Sequence, residues 1–335
     1  MWQETIDPTE GPRFEGYATE IRAMQKKRAQ GRPALRALHT KAHVGAVGEL
    51  VVGPVPDALR AGVFTEPKTW SAYVRFSNGS PGHASDRGPD IRGIGLKLVG
   101  VPGPKLIPGL EGALTQDFLF IPVPALPVRG PDEFMAVLRS SRGSKLMLLP
   151  RLIGALGFRR AFAIARASLA MPKVRSMATA RFYTAAPLCI GATAVKLALV
   201  PIAPADLPPS TGKDGLRADL VARLAAGPLR YSLLAQAWVD ADSTPIEDVS
   251  VLWPEARSPW VPLGELTLPR QRIEGQRGAE IERLVESLSF DPWHALPAHR
   301  PLGAVMRARA PAYRESVLER GAAPEPTSVL APDGS

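Results

Sequence analysis

From Ala37 to Leu98 the sequence runs in short apolar stretches broken by glycine and proline, as in Gly48-Glu49-Leu50-Val51-Val52-Gly53 and Ser71-Ala72-Tyr73-Val74-Arg75-Phe76. Runs of that length, bounded in that way, read as strands. A second block covers Ala178 to Val200 and resumes from Leu229 to Val251, with Val195-Lys196-Leu197-Ala198-Leu199-Val200 as a barrel strand. Many short strands separated by turns point to a closed antiparallel β-barrel, a closure that removes unpaired edges. Helices are expected over about 18–30, 131–142, 145–171, 215–226, 277–289 and 302–320, so the fold class is α+β.

Composition narrows the function classes. Hydrophobic residues make up 45% of the 335 and charged residues 22%, which is globular, and a length of this kind fits one large domain or two ordinary ones. The single cysteine, Cys189, excludes an internal disulfide and a multi-cysteine zinc or iron–sulfur site. That usage fits a reducing compartment, and Met1 to Asp7 has neither a basic nor an apolar leader region, so a cytoplasmic location is expected. Net charge is +9, but aromatics are only 6% and no binding module is visible, so nucleic acid is not an expected partner. No Walker-type glycine loop is present, and Gly79 and Gly82 lack the strand–loop–helix context of a dinucleotide site.

The segment 145–171 is strongly apolar but is interrupted by Arg151, Arg159, Arg160 and Arg166. A bilayer span needs about 20 mostly apolar residues without such charges. Two readings remain for it: a helix covering the barrel or a dimer interface, and an amphipathic helix lying on anionic lipid as a peripheral membrane contact.

Chemistry concentrates in two distant segments, Arg36-Ala37-Leu38-His39-Thr40-Lys41 and Arg309-Ala310-Pro311-Ala312-Tyr313. A tyrosine four residues after an arginine lies on the same helical face, where the guanidinium favours the phenolate that metal ligation needs. Pro311 between them suits only a first helical turn, so the helix is expected either to begin near Ala310, placing Tyr313 at the positive end of its dipole, or to kink there. Between these segments come Val74-Arg75-Phe76-Ser77-Asn78-Gly79, Pro89-Asp90-Ile91-Arg92-Gly93-Ile94-Gly95-Leu96-Lys97, Thr115-Gln116-Asp117-Phe118-Leu119-Phe120, Val251-Leu252-Trp253-Pro254, Val261-Pro262-Leu263-Gly264-Glu265-Leu266 and Phe290-Asp291-Pro292. This succession resembles the haem catalases over roughly residues 30 to 320. In length it is similar to their minimal branch, which includes catalase-related peroxidases and allene oxide synthases.

The resemblance implies a single catalase-like haem domain over 1–335, with haem b held between barrel and helices. The tail from Ala322 to Ser335, rich in proline, alanine and serine, is expected to fray. Tyr313 becomes the iron ligand and Arg309 its partner. His39 becomes the distal histidine that moves the peroxide proton, and Ser77 holds its orientation. His43, four residues on, falls where the motif has no catalytic group, and His83, His294 and His299 sit in loop-like text. Buried propionates need arginine forks, and the motif positions give Arg36, Arg75 and Arg320.

Two departures stand out. Thr115 occupies the place assigned to an asparagine that holds peroxide, and the stretch Pro122 to Val128 lacks the aromatic that usually covers the haem. Both imply a roomier, more apolar distal pocket. The expected function is a haem peroxidase with catalase-like activity on hydrogen peroxide or fatty-acid hydroperoxides, drawing on an electron donor, as a monomer or homodimer. The alternatives are a hydroperoxide isomerase or dehydratase resembling allene oxide synthase, and a non-catalytic haem-binding or membrane-surface scaffold.

Overall fold

The structure, a computed structural model, describes residues 1–333 apart from 31, 33, 81, 83, 89 and 204. Nine strands form one antiparallel sheet: β1 (Ala42–Val52), β2 (Lys68–Asn78), β3 (Arg92–Val99), β4 (Thr115–Phe120), β5 (Phe182–Tyr183), β6 (Leu188–Ile190), β7 (Thr193–Pro201), β8 (Leu229–Ala237) and β9 (Trp260–Leu268). They pair in the order β4-β3-β2-β1-β9-β8-β7-β5, with β6 also on β7. Beyond β4, Ile121 exchanges two backbone hydrogen bonds with Tyr183 of β5, of 2.8 and 2.7 Å. That bridge brings the two ends of the sheet together into a nearly closed barrel.

Strand alternation sorts side chains to the two faces. Val74 and Phe76 of β2, Ile94 and Leu96 of β3, and Phe118 and Phe120 of β4 point into a continuous apolar core. Their neighbours Arg75, Ser77, Gly93, Gly95 and Leu119 therefore lie on the outer face, which is the face the helices cover. The candidate site residues that the sheet supplies, Arg75 and Ser77, lie on this outer surface and not in the barrel interior.

The helices are α1 (Glu10–Ala29), α2 (Pro131–Ser140), α3 (Leu148–Leu156), α4 (Phe158–Leu169), α5 (Gly215–Ala226), α6 (Gln276–Ser287) and α7 (Ala304–Arg320). α6 lies close on β1 because Gly45 has no side chain: a Cβ there would stand 2.8 Å from Val285 Cβ. α1 packs along α7, where Arg22 bridges Glu315 at 2.5 Å and Glu319 at 2.9 Å.

Several expectations need correction. The segment 145–171 is two helices, divided at Gly157, whose φ of 77° lies in the left-handed region that glycine tolerates. Residues 238–259 contain no strand, and the strand that joins β8 to β1 is instead Trp260–Leu268. α7 neither begins near Ala310 nor stops at Pro311. It starts at Ala304 and carries Pro311 within it, so Tyr313 sits mid-helix and gains nothing from the helix N-terminus.

The tail does not fray over 322–333. Glu325 inserts its carboxylate between Lys97 Nζ at 2.6 Å, Thr115 Oγ1 at 2.8 Å and Ser289 Oγ at 2.8 Å. Lys97 is fully buried and also faces Asp117 at 2.7 Å. Burial pushes the Asp117 carboxyl up to about 8, whereas Glu325, despite its own burial, is drawn below its ordinary value by Lys97. Glu325 is therefore the carboxylate that carries the charge opposite Lys97. Ala323, Val329 and Leu330 pack on the same outer face, and Leu330 N donates to Tyr73 Oη at 2.9 Å. Removing one member of a buried ion pair costs on the order of 3 kcal/mol, so Glu325→Ala is expected to lower stability by about that much in chemical denaturation. An unchanged midpoint would contradict the tail's anchoring role.

Candidate active site

A cavity of about 440 Å³ lies between the outer face of β2–β4 and the helices α2 and α7. His39, Ser77, Arg36, Arg75, Arg309, Tyr313 and Arg320 all reach its wall. Most of the rest of the lining is apolar, including Leu119, Ile121, Leu126, Val128, Phe134 and Phe290.

His39 sits in the loop before β1 with φ 55°, an uncommon conformation for a residue with a Cβ. Three contacts hold it there. Its N–H donates to Gly79 O at 3.0 Å, its carbonyl accepts from Arg75 Nη2 at 3.0 Å, and its Nδ1 shares a 3.0 Å hydrogen bond with Ser77 Oγ. Gly93 supplies the space: a Cβ there would stand 2.5 Å from His39 Cε1 and 2.7 Å from Nδ1. Gly95, two residues on and on the same face, does the same for Phe290, at 2.7 Å from its ring. Burial, followed by the cations Arg75, Arg309 and Arg36, pulls the His39 imidazole down to about 3. The ring is therefore neutral at ordinary pH, with one ring nitrogen unprotonated. When Nδ1–H donates to Ser77, Nε2 is left as the free base.

On α7, Arg309 Nη2 donates to Tyr313 Oη at 2.6 Å, and the guanidinium carbon stands 4.9 Å from the ring centre. The spacing of four residues puts both on one helical face, and Pro311 does not disturb it. Asp291, buried beside this pair, is pushed up to about 7, chiefly by burial.

The remaining arginines converge on the C-terminal end of α6. Arg36 donates to Glu286 O at 3.0 Å and Leu288 O at 2.6 Å, and Arg320 donates to Glu286 O, Ser287 O and Leu288 O at 3.1, 3.1 and 2.8 Å. They cap carbonyls that a helix end leaves without partners. Arg36 and Arg75 also share the carboxylate of Glu286, at 2.5 and 2.8 Å. Arg320 has only carbonyls here among the described residues. Burial, with repulsion from Arg75 and Arg320, drives Arg36 well below its ordinary value, and Arg320 is lowered by burial and by Arg75. A guanidinium stays protonated in proteins, so three positive charges stand close together here against the cost of burial and mutual repulsion. Three cations against one carboxylate suit a ligand bringing two more.

No family model matches the chain. It is 28% identical to the catalase-related peroxidase of Mycolicibacterium paratuberculosis, in an alignment covering 93% of this chain and all of that one. Three solved catalases share the fold. A fungal catalase superposes with a TM-score of 0.69 at 17% identity, covering 88% of this chain and 61% of that one. Catalase A from Saccharomyces cerevisiae gives 0.68 at 15%, covering 88% and 63%, and a bacterial catalase gives 0.64 at 18%, covering 90% and 60%. The chain has the catalase fold and is similar in sequence to a catalase-related peroxidase. It spans less than two thirds of the length of these solved catalases and the full length of its minimal relative.

Against the catalase motifs, one candidate is misplaced. Thr115 does not reach the cavity. It opens β4 at the far end of the strand, opposite Val99, where its hydroxyl joins His294 Nε2 at 2.6 Å and donates to Glu325. The register explains this: Leu119 lies opposite Gly95, so the cavity end of the segment is Leu119 to Ile121, a strand's length beyond Thr115. The wall beside His39 is apolar there.

The other described histidines are structural. His43 joins Asn78 Oδ1 at 2.7 Å, and His299 Nε2 accepts from Val63 N at 2.9 Å between the rings of Phe64 and Phe118. His83 lies outside the described residues. Sequence reasoning missed Glu286 and gave no role to Phe290, Gly93 or Gly95, which stand only within quoted motifs. Only Gly93-x-Gly95 left a signal, since glycines two apart in a strand mark a close approach on one face.

Gly93→Ala is expected to displace the His39 ring while leaving the barrel folded. Oxidase-coupled or direct peroxide assays should then fall at least about a hundredfold with little change in melting temperature. Retained activity would mean that His39 needs no such cradle.

Proposed function

We propose that this protein is a haem b peroxidase with catalase-like activity, acting on hydrogen peroxide or organic hydroperoxides with an external electron donor. The observation that carries this reading is a single apolar cavity with an arginine-paired tyrosine on α7 and a neutral, serine-held histidine on the sheet side. The uncompensated arginine cluster fits a ligand bearing two carboxylates, as haem does, and the volume and apolar lining fit its ring.

In this reading Tyr313 offers its oxygen to iron and Arg309 donates a hydrogen bond to that oxygen. Arg36, Arg75 and Arg320 hold the propionates. Bound haem supplies the Lewis-acid and redox chemistry for cleaving an O–O bond. His39 takes the proton from one oxygen of the hydroperoxide and returns it to the departing oxygen, and Ser77 fixes the ring for both transfers. The wall formed by Leu119, Ile121, Leu126 and Val128 offers few polar groups to a small peroxide and room for an alkyl chain. That wall favours organic hydroperoxides, and it also motivates a second reading, a hydroperoxide isomerase that forms product without a donor.

The ultraviolet–visible spectrum of haem-supplied protein tests the ligation. A phenolate-ligated ferric spectrum in the wild type is expected to be lost in Tyr313→Phe, and an identical spectrum in the two would overturn the assignment. His39→Ala should keep haem but lose turnover by about a thousandfold. A lowered pKa disfavours the imidazolium, so the basic form of His39 dominates well below neutrality. Turnover in the folded protein should therefore show no His39 limb between pH 5 and 8, and a rise centred near pH 6.5, the ordinary value, would contradict the burial argument.

A further inference from the structure

Between Glu133 and Asp206 the sequence has no acidic side chain but eleven lysines and arginines. The centre of that stretch is the α3–α4 hairpin. Its inner side is accounted for: Leu152, Ala161 and Ile164 pack against Val128 and Ala136. Its outer side is not. Leu146 and Leu169 are each 88% exposed, Phe158 is 68% and Phe162 57% exposed, and the two phenylalanine rings stack on each other in solvent with centroids 6.2 Å apart. Arg159 and Arg166 lie among them and Lys173 and Arg175 follow α4, and none of these four has an ion pair among the described residues. By contrast, Arg160 turns inward to Glu133, at 2.6 Å.

We propose that the outer face of α3–α4 docks on an anionic lipid bilayer, with Leu146, Phe158, Phe162 and Leu169 entering the interface and the arginines meeting the headgroups. Charge decides the occupant. A second copy of the chain seated on this face would bring two carboxylate-free basic surfaces together, which like-charge repulsion opposes. Nucleic acid would satisfy the arginines and leave exposed leucines without a role. An anionic bilayer accommodates both, because it offers a negative surface above an apolar layer, and this combination of an apolar face with arginines around it is how interfacial helices bind. The hairpin lies on the membrane and does not cross it, since no helix among the described residues is long and apolar enough to span.

Docking here has a consequence for substrate supply. α3 packs on α2, and α2 contributes Phe134, Met135, Val137 and Leu138 to the wall of the cavity. The bilayer would then lie beside the hairpin that backs this wall of the cavity, on the side from which an acyl-chain hydroperoxide would be supplied. This consequence rests on the peroxidase reading, whereas the docking itself does not.

The test is flotation of the full-length protein with vesicles of phosphatidylcholine, with and without phosphatidylglycerol, alongside Arg159→Glu/Arg166→Glu and Phe158→Ser/Phe162→Ser variants checked for an unchanged melting temperature and haem spectrum. Wild type should float only with phosphatidylglycerol and detach as salt is raised. The charge reversal should weaken binding on the order of a hundredfold, and the phenylalanine pair by at least about tenfold. Absence of flotation, or flotation undiminished in the phenylalanine variant, would overturn the proposal. So would light scattering that shows a dimer in wild type and a monomer in that variant, since the face would then be buried in a second copy. Flotation is read without enzyme activity, so failure of the peroxidase reading would not obscure it.

Discussion

Arg36, Arg75 and Arg320 reach the same few oxygens at the end of α6, and the site depends on that convergence. Arg36 belongs to the loop that carries His39, Arg75 to β2 and Arg320 to α7, so one helix end ties the loop, the sheet and the helix of Tyr313 together. Carbonyls at a helix C-terminus attract cations, but here a single carboxylate, Glu286, faces three guanidiniums. The cluster is thus held in place by the backbone and left electrostatically incomplete. A dianionic ligand would complete it, so binding such a ligand and stabilising the fold draw on the same atoms.

The outer face of the barrel is the second constraint. Strand alternation sends Phe76 and Ile94 inward and Ser77 and Gly93 outward, and the site needs both sets in register. Ser77 lies directly opposite Gly93 in the β2–β3 pair. The residue that bonds the imidazole and the residue that makes room for it are therefore neighbours across one ladder. A slip of one position would turn both into the core.

Much of this was legible in the sequence because it depends on residue type and spacing. Period-two runs marked the strands, and Arg309 and Tyr313 announced their pairing through a helical spacing that survives Pro311. What was not legible depended on distance. Glu286 is an ordinary surface glutamate until α6 is docked, and Thr115 reads like a site residue until the β3–β4 register sets it a strand's length away. β9 was hidden by Pro262 and Gly264 within it, and Gly264 is there because Val51 O approaches too closely for a side chain. The tail from Ala322 has the composition of a loose end, and only the burial of Lys97 shows why Glu325 must bind.

The packing of α1 along α7 also bears on how the protein is made. The histidine loop follows α1, and the tyrosine lies on α7, so the two halves of the site come from opposite ends of the chain and meet only when these helices pair through Arg22, Glu315 and Glu319. During synthesis α1, the histidine loop and every barrel strand precede α7. A chain without α7 therefore presents the His39 side of the cavity without Tyr313, and any ligand that needs both walls is captured only once α7 has folded onto the sheet.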